Sequence, residues 1–125
     1  MKTIQQRRLE FLNETVNYYS EDTSRRALTT DKDGHNYCEY CTKDGRRCAI
    51  GRVLNIDYQT SLSIHNRSVD ADVVYELVPD EIKELGRLFL SELQVLHDTD
   101  NCWDSNGLTN AGKRRVELIK LDYCS

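Results

Sequence analysis

The chain is poor in punctuation and in large apolar groups: one proline, one tryptophan, one methionine and two phenylalanines among 125 residues. No window approaches eighteen uninterrupted apolar residues, which excludes a membrane-spanning helix. The opening MKTIQQRRLEF carries charge but no apolar core. No secretory leader is therefore expected, and a cytoplasmic location is the default. P-loop, G-x-G-x-x-G, G-x-S-x-G and H-E-x-x-H patterns are all missing, so the chemistry those motifs mark finds no support. There are no internal repeats and no low-complexity tracts.

What is present describes a single globular domain. Hydrophobic residues make up 38% and charged residues 30%, a composition able to bury one core without metal or disulfide staples. Five cysteines are an odd number, and in a reducing compartment free thiols or metal ligands are the expected states. The net charge of -4 is unevenly distributed. Residues 1–56 carry ten Lys/Arg against eight Asp/Glu, residues 57–104 three against eleven, and residues 105–125 four against two. Four Arg-Arg pairs, at 7–8, 25–26, 46–47 and 114–115, lie in the two basic parts, so a basic face is compatible with the acidic total.

Periodicity predicts a mainly α (α+β) fold with about four helices and one small β-hairpin. The first helix spans 3–20, with Leu9, Leu12, Val16 and Tyr19 on one stripe and Phe11 and Tyr18 beside it. Residues 20–36 read as a loop with a short turn near Arg25–Leu28. Tyr37–Cys41 and Arg46–Ile50 are expected to pair as a hairpin through the Asp44-Gly45 turn, the second arm running into a short helix by Leu54. Residues 55–68 read as a connection, and Val69–Val78 as a short helix. Pro79, with Asp80, Glu81 and Glu84 after it, opens the expected core helix 79–97. Its apolar positions are Ile82, Leu85, Phe89, Leu93 and Leu96, with Leu88 alongside, and Gly86 interrupts it where another backbone is expected to pass. Residues 98–107 read as a loop carrying Trp103. Thr109 then caps a C-terminal helix, 109–121.

Residues 35–54, HNYCEYCTKDGRRCAIGRVL, concentrate the unusual chemistry. His35, Cys38, Cys41 and Cys48 offer the donor types and the C-x2-C spacing of a tetrahedral zinc site. The favoured reading is that these are packed thiols and that no cofactor is bound, with zinc the lesser expectation. Arg46, Arg47 and Arg52 interleaved with Tyr40 suit an anionic, nucleotide-like ligand, because guanidinium groups and aromatic faces together hold phosphates and bases. Long duplex DNA is not an expected partner of so acidic a chain. His97 and Asp98 end the core helix and are the candidate catalytic pair, with a cysteine as conceivable nucleophile. Against that stands His97 as a helix cap and Trp103 as a lid over the helix end.

The pieces FLNETVNYYS (11–20), Cys38-Glu-Tyr40, CAIGR (48–52), KELGRLFLSELQVLHD (83–98) and Trp103 followed by GLTNAGK (107–113) resemble a family of small, functionally uncharacterised proteins of bacteria and their phages. The resemblance spans most of the chain. It implies an origin in bacteria or their phages, with the host cytoplasm as the location if the protein is phage-encoded, rather than any particular reaction. Similar sequences carry a serine at position 41, which weakens a zinc set that includes Cys41. The resemblance also brings Arg52, His97, Asp98 and Trp103 forward as one site. The sequence thus points to a binding protein, more readily than an enzyme, that engages an anionic small molecule (bound by Arg46, Arg47, Arg52, Tyr40, His97 and Trp103) or a host protein in counter-defence. The alternatives are a small enzyme using His97 with Asp98 or a cysteine, and a zinc-stapled interaction module. A homodimer is left open.

Overall fold

A computed structural model describes residues 1–34, 36–64 and 67–125, and the side chain of Asn36 is not described. The fold is mainly α with two small antiparallel strand pairs. In chain order the elements are α1 (Ile4–Glu21), β1 (Leu28–Thr30), β2 (Asn36–Cys38), α2 (Tyr58–Ile64), α3 (Asp72–Tyr75), α4 (Asp80–Lys83), α5 (Arg87–Asp98), β3 (Trp103–Asp104), β4 (Gly107–Leu108) and α6 (Asn110–Tyr123). No helix among the described residues is long and apolar enough to cross a membrane.

The first and last helices begin where their caps place them. Thr3 and Gln6 form a reciprocal capping box, with the Gln6 N–H donating to Thr3 Oγ1 at 3.1 Å and the Thr3 N–H to Gln6 Oε1 at 2.8 Å. Thr109 Oγ1 accepts from the Gly112 N–H at the start of α6. The buried stripe of α1 is Leu12, Thr15 and Tyr19, rotated from the expected one so that Leu9 and Val16 are half-buried. Thr15 is tolerated inside because its hydroxyl donates back to the Phe11 carbonyl at 2.8 Å. Helices α1, α5 and α6 pack on one another, and Leu12, Phe89, Leu90, Leu93, Leu96 and Ile119 are buried at 2% exposure or less.

Three expectations need correction. The core helix 79–97 is two helices, because Gly86 takes φ +99° and ψ 141° and breaks the ladder between α4 and α5. The Leu85 carbonyl freed by the break accepts from Arg8 Nε at 2.8 Å, so an arginine side chain, not a backbone, passes Gly86. The hairpin is also paired differently. Cys41 and Arg47 form a single bridge, closed by the expected tight turn in which Gly45 has φ +91°. The longer pairing joins β2 to β1, with Leu28 opposite Cys38 and Thr29 opposite Tyr37, in a region read as loop. Residues 48–54 form successive turns rather than a helix. Two further elements lie where connections were expected: α2 in 55–68, and the β3–β4 hairpin that presents Trp103.

Candidate functional site

The C-terminal end of α5 is where the singled-out residues meet. A helix end leaves carbonyls without intrahelical donors, and here side chains from distant elements supply them. Trp103 Nε1–H donates to the Leu96 carbonyl at 2.8 Å. Arg26 places Nε and Nη2 on the His97 carbonyl at 2.9 and 2.7 Å, and Nη2 also reaches Asp100 Oδ1 at 3.1 Å. A buried guanidinium at the negative end of the dipole is favourable. Trp103 therefore covers the helix end as expected, but the cap expected of His97 comes from Arg26.

The His97 ring is 1% exposed and both its nitrogens are engaged. The Ala27 backbone N–H points at Nε2 at 3.2 Å, while Nδ1 lies 2.7 Å from Asp98 Oδ1. A backbone N–H can only donate, so Nε2 is the bare nitrogen and Nδ1 carries the proton toward Asp98. Burial holds the imidazole below its ordinary pKa, against the opposing pull of Asp98. Tyr19 stacks edge-on against this ring at 4.9 Å and against Trp103 at 6.0 Å.

The three arginines of 46–52 are held within the fold. Arg46 pairs with Asp44 at 3.0 Å and donates to the Arg26 carbonyl. Arg47 donates to the carbonyls of Gly51, Leu54 and Ile56, the first of which also accepts from the Leu54 N–H. Arg52 binds Glu14 and stacks 4.4 Å over the Tyr18 ring. Tyr19 lies between Arg52 and His97, contacting both, so Arg52 does not share a site with His97 and Trp103. The shallow groove that Arg52 lines also presents Arg7, but against Glu10, Glu14 and Glu81. That balance disfavours an anion.

Among the described residues Cys38, Cys41 and Cys48 do not form the zinc set held as the lesser reading. Cys41 donates to the Thr42 carbonyl and Cys48 accepts from the Gly51 N–H, and His35 lies outside the described residues. Among the described residues one metal-capable group exists: Cys38, His97 and Asp98, whose ligand atoms lie within 4.8 Å of one another. Its chemistry fits a metal poorly. A metal on Nδ1 would move the imidazole proton to Nε2, opposite the Ala27 N–H, where two donors would face each other. Burial also pushes the Cys38 thiol up, and Asp98 beside it reinforces the effect, whereas a metal or a nucleophilic role needs thiolate. Cys48 is likewise raised by burial, to about 12.

Beside this cluster lies a pocket of about 120 Å³ whose wall includes Cys38, Glu39, Tyr40, Cys48, Gln94 and Asp98. Strand β2 and the residues after it supply one side, the outward face of α5 the other. Glu39 is 2% exposed. Its N–H is fixed to the Ala27 carbonyl at 3.0 Å, and the Tyr37 hydroxyl reaches its carboxylate. Yet Glu39 Oε2 is buried with no hydrogen-bond partner. Tyr40 anchors the floor by donating to the Arg67 carbonyl at 2.6 Å. Gln94 bridges the walls, accepting from the Ile50 N–H at 3.1 Å and donating to Asp98 Oδ1 at 2.8 Å.

Sequence reasoning nominated Cys38, Tyr40, Cys48 and Asp98 of this pocket but missed its Glu39 and Gln94, and missed Arg26 at the end of α5. Arg26 was visible only as one member of an Arg-Arg pair. Glu39 stood inside the Cys-rich stretch with no spacing to mark it. No protein-family model, no curated protein and no solved structure matches the chain.

Proposed function

We propose that this protein is a binding module rather than an enzyme, and that its ligand enters the pocket between β2 and α5. The observation that carries this reading is the pocket of about 120 Å³, walled by the polar residues Cys38, Tyr40, Gln94 and Asp98. The enzyme reading is less well supported, since His97 has no free nitrogen to move a proton and the nearby thiols are held protonated. A nucleotide-like ligand is disfavoured by size as well as charge, because such sites take roughly 300 Å³ or more. In a phage-encoded protein such a module would act by occupying a host protein, the counter-defence role that the resemblance suggests.

Amide chemical shifts of the labelled protein, followed against a fragment library and against ATP, test this reading. Fragment hits are expected at residues 38–40 and 91–98, with ATP silent. ATP shifts centred on Arg46, Arg47 and Arg52 would restore the anion-binding reading in its place.

A further inference from the structure

We infer that the protein pairs with a second copy of itself through the outward faces of α5 and α6. Leu88 and Val95 on α5 are 66% and 44% exposed, and Leu118 and Leu121 on α6 are 53% and 68% exposed. Single apolar side chains on a surface need no explanation, but a set gathered on one face marks an interaction site. The two helices are antiparallel neighbours: the Phe89 ring lies 5.7 Å from that of Tyr123, and Glu92 binds Arg115 at 2.9 Å. Leu88, Glu92 and Val95 follow at i, i+4 and i+7, and Arg115 and Leu118 at i and i+3. Each exposed stripe thus carries one partner of that ion pair, which joins the two stripes into one face.

The order of residues along this face is complementary to itself, in charge as well as in apolar surface. Along α5 the outward stripe reads Leu88, Val95, Asp98. Along α6, followed in the same direction in space, it reads Leu121, Leu118, Arg114. Leu88 and Leu121 therefore share one end of the face, and Asp98 and Arg114 the other. Asp98 stands about 15 Å from the Leu88 level and Arg114 about 10 Å from the Leu121 level, a gap that a long arginine side chain spans. A two-fold axis parallel to the helices lays α5 of each copy over α6 of the other, as in a four-helix bundle. Leu88 then meets Leu121 of the second copy, and Val95 meets Leu118. Arg114, exposed and unpaired among the described residues, approaches the acidic end, where Asp98 is 38% and Asp100 64% exposed. Turning the axis to lay α5 on α5 would instead set Leu88 against Asp98 and Leu121 against Arg114, desolvating charges with no partner. Val95 and Asp98 also belong to the wall of the pocket beside α5. The second copy's α6 thus borders each pocket mouth.

The test is sedimentation velocity of the full-length protein from about 1 μM to about 1 mM, where a concentration-dependent dimer is expected. Leu118→Glu and Leu121→Glu, at positions more than half exposed in the fold, should each raise the dissociation constant at least about tenfold. Far-ultraviolet circular dichroism should show both variants folded. Val73→Glu, 48% exposed on α3, should leave the dimer unchanged. Arg114→Glu should weaken it by about tenfold, and by more at low salt than at high. Isotope-filtered NOE spectra of mixed labelled and unlabelled protein should connect Leu88 methyls of one copy to Leu121 methyls of the other. A monomer at every concentration overturns the inference. A dimer indifferent to both leucine substitutions overturns it as well, because another face then holds the copies together. NOEs joining Leu88 to the second copy's α5 in place of its α6 overturn the pairing of unlike helices.

Discussion

Replacing His97 by alanine separates a structural imidazole from a catalytic one. The ring is 1% exposed, and removing it opens a cavity next to Tyr19, at a cost of about 2–4 kcal/mol. The Ala27 N–H, in a residue that is 0% exposed, loses its acceptor, which adds about 1–2 kcal/mol. The expected destabilisation is thus about 4 kcal/mol, a large part of the total stability of an ordinary domain. His97→Gln should recover part of it, since a glutamine Oε1 can stand where Nε2 accepts from Ala27. Trp103, the only tryptophan, packs over this helix end and reports unfolding by fluorescence in a urea titration.

The same ring gives a pH signature. Burial lowers the pKa of His97 in the fold, so the unfolded chain binds the proton more readily. The stability due to the neutral ring is complete above about pH 6.5 and falls as pH drops below it, by up to about 1.4 kcal/mol per pH unit until the folded pKa is reached. Asp22, Asp44 and Asp57 have lowered pKa values, and their contributions fade only as pH falls through the carboxylate range below that window. The informative quantity is the difference between wild type and His97→Ala. That difference should shrink from about pH 7.5 to about pH 5.5. A variant within about 1 kcal/mol of wild type at neutral pH would refute the packed, doubly bonded imidazole.

Four further outcomes are expected. Gly51→Ala places a Cβ 1.9 Å from the Tyr40 carbonyl oxygen, so the 48–54 turns must shift, and circular dichroism melts should show a loss of more than about 3 kcal/mol. Arg26→Leu leaves the His97 carbonyl without its two donors and should cost about 3 kcal/mol in urea titration, with Arg26→Lys recovering less than half because an ammonium lacks the fork. Glu39→Gln, by contrast, should leave stability unchanged or raise it by about 1 kcal/mol, since an amide relieves a partnerless buried carboxylate. Equilibrium dialysis against zinc should find well under one tightly bound equivalent; a full equivalent, lost on Cys38→Ser, would show that His97 reorients to ligate it.

The elements governed by local rules were legible in the sequence. The Thr109 cap, the Asp44-Gly45 turn and the stripe ending at Leu96 needed only near neighbours. What failed was decided at a distance. Gly86 is compatible with a helix interior or a break, and the choice follows from Arg8, far away in the chain, taking the Leu85 carbonyl. The hairpin turn was placed correctly, but Tyr37 and Cys38 pair with Leu28 and Thr29, whose pattern is too short to declare a strand. At the site, Cys38 and Asp98 were nominated separately, and nothing in their spacing joined them. Glu39 could not be told from a solvated acid, because its burial is imposed by the β1 register that fixes its N–H to Ala27.

The misassigned arginines have a common physical cause. Residues 48–56 run as turns, so several of their carbonyls lack regular backbone donors, and in a packed interior each needs one. A guanidinium offers five donors on one rigid plane, and Arg47 reaches three carbonyls of this run at once, Gly51, Leu54 and Ile56. Arg46 ties the Asp44 turn to the backbone of Arg26, and Arg52 ties the end of the CAIGR run to α1. A dense basic run beside irregular chain is therefore as consistent with internal donors as with a phosphate site, and only burial separates the two. With those cations directed inward, the ionisable residues that border the pocket include Glu39, Asp98 and Arg67. A stretch that looked basic in sequence thus contributes none of Arg46, Arg47 and Arg52 to the wall of the pocket beside α5.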